Sequence, residues 1–173
     1  MRQRMLLIVS GLGLLGGASV AQDVATAFVK MNEARPEAVV AALEAEDVYT
    51  RELALARIAR EDRTAALTKA AAEALPKLEC PGVRAQLVAV LAERGDAAAL
   101  PAVRAALRDS DPAVRAAAVQ ACGLFRDERA SDAIFALLGG AQDEVAREAL
   151  RRIPARSIDA RLVKQVRRGT GAE

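Results

Sequence analysis

The 173-residue sequence has no histidine and no tryptophan, and aromatic residues make up 2% of it. Without histidine the chain has no access to the commonest general base, the usual partner of a serine or cysteine nucleophile, or the commonest zinc ligand. That counts against most hydrolytic and metal-centred chemistry, and no catalytic residue, cofactor-binding residue or metal ligand is assigned. Cysteine is scarce too. Cys80 sits in a turn before Pro81, and Cys122 falls on an apolar helical position, where a thiol behaves as a small hydrophobe. Neither setting suggests a disulfide. The long apolar run, residues 5–18, is shorter than the ~20 residues a membrane-spanning helix needs.

What is present is a large apolar fraction, 53%, dominated by Ala, Leu, Val and Ile. Ala and Leu are the strongest intrinsic helix formers, and small side chains let helices approach closely, so an all-α fold is expected. The length suits one domain or a short array of repeats.

The first residues, MRQRMLLIVSGLGLLGGASVA, have the three parts of an export signal: Arg2 and Arg4, the apolar run, and the small residues Ser19, Val20 and Ala21. A signal peptide over 1–21, cleaved after Ala21, implies a periplasmic or extracellular location. Membrane association is expected only if the segment stays attached. Its removal takes away two arginines and no acid, so the whole-chain charge of +2 belongs to the signal and gives no reason to expect nucleic-acid binding.

Four stretches repeat: TRELALARI at 50–58, VRAQLVAVL at 83–91, VRAAAVQAC at 114–122 and VAREALRRI at 145–153, with starts 33, 31 and 31 residues apart. Val83, Leu87, Val88 and Leu91 lie on one side of a helix, as do Val114, Ala118, Val119 and Cys122, and Val145, Ala149, Leu150 and Ile153. A companion helix precedes each stretch, within 36–45, 62–75, 96–108 and 128–138. Pro81 and Pro112 stand at first helical positions, where their missing N–H groups cost nothing. Asp111 is placed to accept from the free N–H groups behind Pro112, with Asp47, Asp96 and Asp127 as further helix starts. Gly95, Gly123, Gly139 and Gly140 are read as helix stops.

The pattern gives repeats over 36–60, 62–94, 96–124 and 127–153, which bury their apolar sides by stacking into a right-handed α-solenoid. Residues 22–35 provide an N-terminal capping helix, with Phe28 and Met31 facing the array. A C-terminal capping helix is expected over 157–168 within the 154–173 remainder, and the final GTGAE is read as disordered.

The run from Asp109 to Val119, D-x-D-x-x-V-R-x-x-A-V with about 31 residues per unit, resembles HEAT-like repeats of the short type first associated with phycobilisome lyases and found in many bacterial scaffold proteins. The resemblance covers residues 36–153 and is most specific over 96–153. It implies a ladder in which an Asp before each second helix and the Arg of the Val-Arg pair bond across successive repeats. Asp109 with Arg115 fits that spacing. For Arg84 and Arg51 the same offset falls on Leu78 and Ala45, leaving Glu79 and Glu46 as substitutes, and Ala146 has no Arg.

Arg51, Arg84 and Arg115 therefore read as structural inter-repeat residues, with Asp109 and Asp111, in preference to an anion site; a planar guanidinium fork suits that use. Charge is uneven: residues 147–173 carry eight basic side chains against three acidic. Arg147, Arg151, Arg152 and Arg156 form the candidate partner-binding cluster, placed to attract an acidic segment. The other positions that line the inner face in such solenoids, Glu52, Ala56, Ala85, Ala89, Ala116 and Gln120, are poor in reactive groups. The expected function is a non-enzymatic scaffold outside the cytoplasm, a monomer binding an unidentified protein. The alternatives are an accessory to bilin or tetrapyrrole attachment, as the lyase resemblance implies, and a self-assembling structural array.

Overall fold

In the computed structural model, which describes residues 18–59 and 65–154, aspartates and prolines set most of the helix starts. Asp47 Oδ1 accepts from Thr50 N at 2.7 Å and Asp96 Oδ1 from Ala98 N at 3.0 Å. Asp111 Oδ1 takes both Ala113 N and Val114 N, at 2.8 and 3.2 Å, so the proline behind it opens a helix with its first turn satisfied. Among the described residues there is no strand. The export segment to residue 17, residues 60–64, Arg156, the expected cap over 157–168 and the GTGAE tail lie outside them.

The chain divides into two compact units, residues 1–57 and 58–173. The first contains α1 (Ala18–Glu33), α2 (Pro36–Ala41) with a 3-10 turn over Ala42–Glu44, and most of α3 (Val48–Ala59). Val39, Leu43, Ala54 and Leu55 are its buried apolar residues, and Arg57 Nε donates to Asn32 O at 3.3 Å, tying α3 to the end of α1. The expected cleavage bond after Ala21 lies inside α1.

The second unit is built from helix pairs. α4 (Ala65–Ala74) precedes α5 (Pro81–Arg94), α6 (Leu100–Ala106) precedes α7 (Pro112–Leu124), and α8 (Ser131–Phe135) precedes α9 (Asp143–Arg152). The second helix of each pair packs on the next, α5 on α7 and α7 on α9, while α4 packs on α6 and on the 3-10 turn before it, Ala97–Ala99. This is the serial packing of a helical repeat solenoid. The stripes on α5 and α7 are fully internal: Val83, Leu87, Val88 and Leu91, then Val114, Ala118, Val119 and Cys122. Fully burying one such aliphatic side chain contributes roughly 1.5–3 kcal/mol, so the stack is held chiefly by these contacts.

Three departures from the sequence reading have physical causes. The expected first helix over 96–108 is a 3-10 turn followed by α6, because Pro101 cannot donate a backbone hydrogen bond and is tolerated only in the first turn of the α-helix that starts there. Gly123 is not a stop. It lies inside α7 and is buried, and a Cβ placed on it would come within 2.8 Å of Ala149 Cα, so α7 and α9 approach each other closely there. The stop comes three residues later at Arg126, which takes a left-handed φ of 54° while Arg126 N and Asp127 N bond Gly123 O and Cys122 O. In α9 the buried residues are Ala146, Ala149 and Leu150, with Ile153 buried just past its end and Val145 only half-buried. Ala149, Leu150 and Ile153 are buried as expected, and only the first place of the stripe moves, from Val145 to Ala146, about 100° further round the helix.

Candidate functional site

The repeated arginines are held at the turns between paired helices. Arg84 Nη1 donates to Leu78 O at 2.9 Å and Glu79 O at 3.0 Å. Arg51 Nη1 bonds Ala45 O and Glu46 O, and Arg115 Nη1 bonds Asp109 O and Ser110 O, in the same two offsets. The acceptors are main-chain carbonyls, so the side chains at those positions do not matter. This corrects the expectation that Glu79 and Glu46 carboxylates must replace a missing Asp. It also corrects the pairing of Asp109 with Arg115, since only the Asp109 carbonyl receives that arginine.

The Asp109 carboxylate belongs to the preceding repeat's arginine. Arg84 Nε and Nη2 donate to Asp109 Oδ2 and Oδ1, both at 2.9 Å, a bidentate pair whose side chains are 12% and 16% exposed. The fork holds the Asp109 carboxyl below its usual value, helped by the Asp111 N–H, which donates to Oδ1 at 2.9 Å. Asp111, grouped with the inter-repeat residues on sequence, acts locally as the cap of α7. Arg51 and Arg115 likewise bond the turns of their own repeats.

Two connections escaped the sequence reading. Arg104 on α6 grips Asp127 with Nε to Oδ2 and with Nη2 to Oδ1 at 2.9 Å, joining the third repeat to the 3-10 turn that opens the fourth. Arg94, buried in the last turn of α5, donates to Thr68 Oγ1 at 2.7 Å and Ile58 O at 2.8 Å. An Arg at a helix end reads as a solvated dipole partner in sequence; its one available signal was the apolar residues flanking it on the buried side. Cys122 is buried, and burial pushes its thiol up to about 12, whereas Cys80 is exposed at the start of α5; the two are not joined.

The candidate partner-binding arginines are on α9 and are exposed, but each is matched by an acid of the same helix. Arg147 Nε donates to Asp143 Oδ2 at 2.7 Å, while Arg151 and Arg152 share Glu148 at 2.9 and 3.1 Å. Arg147 thereby lowers the Asp143 pKa, and Arg151 and Arg152 lower that of Glu148. Residues 143–152 contain three acids and three arginines, so the expected bare cationic surface is a neutral mosaic on α9; Arg156 lies outside the described residues.

Beside these arginines, α7 and α9 frame a groove of about 370 Å³. Ala149, opposite Gly123, forms its floor. Gln120 and Leu124 line it from α7, and Glu144, Val145, Glu148 and Arg152 from α9. Among the described residues there is no group of three or more potential metal ligands. Nothing in the groove pairs a nucleophile with a base.

Residues 68–152 match the family model described as HEAT repeats. This stretch is an array of HEAT repeats. No curated protein matches the chain. HEAT repeats generally mediate protein–protein interaction and are typically non-catalytic, which agrees with a surface built for packing and contact. In this HEAT array the Arg84–Asp109 and Arg104–Asp127 bridges and the small-residue crossing at Gly123 fix how one repeat sits on the next, while the arginine-to-carbonyl bonds brace the turn inside each repeat. The α7–α9 groove is therefore a preformed feature of the array.

Proposed function

We propose that the protein is an exported, non-enzymatic scaffold that holds a partner protein on the exposed side of its HEAT second helices. The observation that carries the reading is the serial packing of α5, α7 and α9, whose exposed positions carry mostly short or polar side chains, among them Gln86 and Ala89, Ala113 and Gln120, and Glu144 and Glu148. A rigid surface of this kind loses little conformational entropy on binding, so modest contacts yield measurable affinity. The export part of the proposal is supported by Arg2, Arg4 and the apolar run that follows them.

Photo-crosslinking residues placed at Gln86 and Gln120 are expected to trap the same partner from the native envelope, whereas a residue placed at Arg108, in the turn that follows α6, is expected to trap none. Capture from Arg108 alone would overturn the assignment of the binding side. The mass of the mature chain is expected to begin at Gln22, and a mature chain that retains residues 1–21 would overturn export by cleavage.

A further inference from the structure

The series of repeated arginines has a vacant rung. Arg84 commits Nη1 to the carbonyls of its own turn and its other edge, Nε and Nη2, to the Asp109 carboxylate of the next repeat. Arg115 reproduces the first half of that pattern and not the second. Its Nη1 bonds Asp109 O and Ser110 O, both at 2.8 Å, while its Nε and Nη2 have no hydrogen-bond or ion-pair partner among the described residues. The side chain is half-buried, so that edge is neither lost in bulk water nor sealed in the core.

The cause lies in the next turn. Asp109 stands 25 residues past Arg84, and the residue in the same place past Arg115 is Gly140, which has no side chain to offer. The turn itself is in position: α9 packs on α7 as α7 packs on α5, and Gln142 Nε2 donates to Pro112 O at 2.7 Å, pinning the stretch after Gly140 to the start of α7. The acids on either side are committed elsewhere. Asp111, one turn before Arg115, caps α7 through Ala113 N and Val114 N, and Asp143 pairs with Arg147 and accepts from Gly139 N. A guanidinium already held by two carbonyls loses little freedom when its remaining edge is used, and two parallel N–H groups fit a carboxylate. The Arg84–Asp109 pair is the same arrangement filled from within the chain.

We infer that Arg115, beside the Gly140 turn, is a docking point for a carboxylate of the partner protein, an acidic side chain or the C-terminal carboxylate, which takes on Nε and Nη2 the place that Asp109 has on Arg84. This rests on the scaffold reading and names the chemistry of one contact. The acidic partner expected from the arginines of α9 is kept, but the cation that receives it moves to α7, because Arg147, Arg151 and Arg152 are neutralised within their own helix.

The test titrates the full mature chain with three Gly/Ser peptides: one with blocked ends and a single Asp, its Asn counterpart, and one whose only carboxylate is its C-terminus. The Arg115 Nε–H resonance and the amides of residues 139–142 are expected to shift with the carboxylate peptides, at about millimolar affinity, and not with the Asn peptide; the tighter of the two names the source of the carboxylate. Gly140→Asp fills the rung from within the chain. A Cβ there meets only Leu137 O at 3.4 Å and the residue has no positive φ, so this variant is expected to fold, to melt higher than the parent and to bind the peptides about fivefold or more weakly, whereas Gly140→Ser keeps the affinity within about twofold. Equal shifts with the Asn peptide, an equal response to inorganic phosphate, or undiminished binding in Gly140→Asp would overturn the proposal. A photo-crosslinking residue at exposed Ala141 separates it from the scaffold reading. Partner capture at Gln120 but not at Ala141, or capture at Ala141 that persists undiminished in Gly140→Asp, sinks the Arg115 site and leaves the scaffold standing, whereas capture at Ala141 that is lost in Gly140→Asp supports both.

Discussion

Replacing Gly123 by alanine sets two opposed effects against each other. Alanine is favoured over glycine in a helix by about 1 kcal/mol, and less near an end, where residue 123 lies. Against this, the new methyl would meet Ala149 Cα at 2.8 Å and Ala149 Cβ at 3.0 Å, where ordinary contact begins at 3.4 Å. The nearest atom belongs to the backbone, so no side-chain rotation relieves it, and α9 must withdraw while Ala146, Leu150 and Ile153 hold it in place. Overpacking of this kind costs roughly 1–3 kcal/mol, so a net destabilisation of about 1–2 kcal/mol is expected. The internal control is Gly82→Ala in the first turn of α5, where the methyl would meet only Cys80 Sγ at 3.8 Å and a small stabilisation is expected. Urea unfolding, with midpoints compared at constant slope, measures both. A Gly123→Ala midpoint at or above that of the parent protein would refute the close crossing of α7 and α9, and with it the fixed width of the groove.

Other consequences follow from the bonds between repeats. Arg126→Gly should stabilise the protein by up to about 1 kcal/mol by relieving the left-handed conformation that ends α7, and a loss in the same urea assay would show that the Arg126 side chain is itself a tether. Arg84→Lys should cost about 1–3 kcal/mol, because an ammonium cannot span Asp109 and two carbonyls at once; a double-mutant cycle with Asp109→Asn should show coupling, and strict additivity would contradict the bridge. Since Arg84 depresses the Asp109 pKa, the resulting stability is fully present above the unfolded carboxyl value near 4 and is lost as pH falls through the lower folded value. The parent protein should therefore lose stability more steeply than Asp109→Asn as acid is added below about pH 4, and parallel curves would count against the assignment. Cys80 should react with a thiol reagent in the native state at mildly alkaline pH, while Cys122, with its thiol pushed up to about 12, should react only on unfolding; rapid reaction of both would place Cys122 outside the core.

The buried sides of α5 and α7 were legible in the sequence because a helix repeats every 3.6 residues and aliphatic side chains recurred at that period around Val83 and Val114. The aspartate caps were legible for the same local reason, since a cap bonds an N–H two or three residues away. The candidate site was less so. Arg147, Arg151 and Arg152 stood out as a charge cluster, yet Asp143 and Glu148 lie one turn from them and neutralise it, a pairing that spacing permits without requiring.

Composition and periodicity by themselves determined that this chain is helical, that its helices come in pairs, and that the pairs recur, because those properties depend on side-chain size and on bonds within a few residues. Only the tertiary structure decided that Asp109 answers to Arg84 of the repeat before it, that Gly123 serves a helix crossing and not a helix end, and that α9 turns Val145 outward beside Leu124. Each of these depends on the distance between groups some 20 or more residues apart, and packing sets that distance.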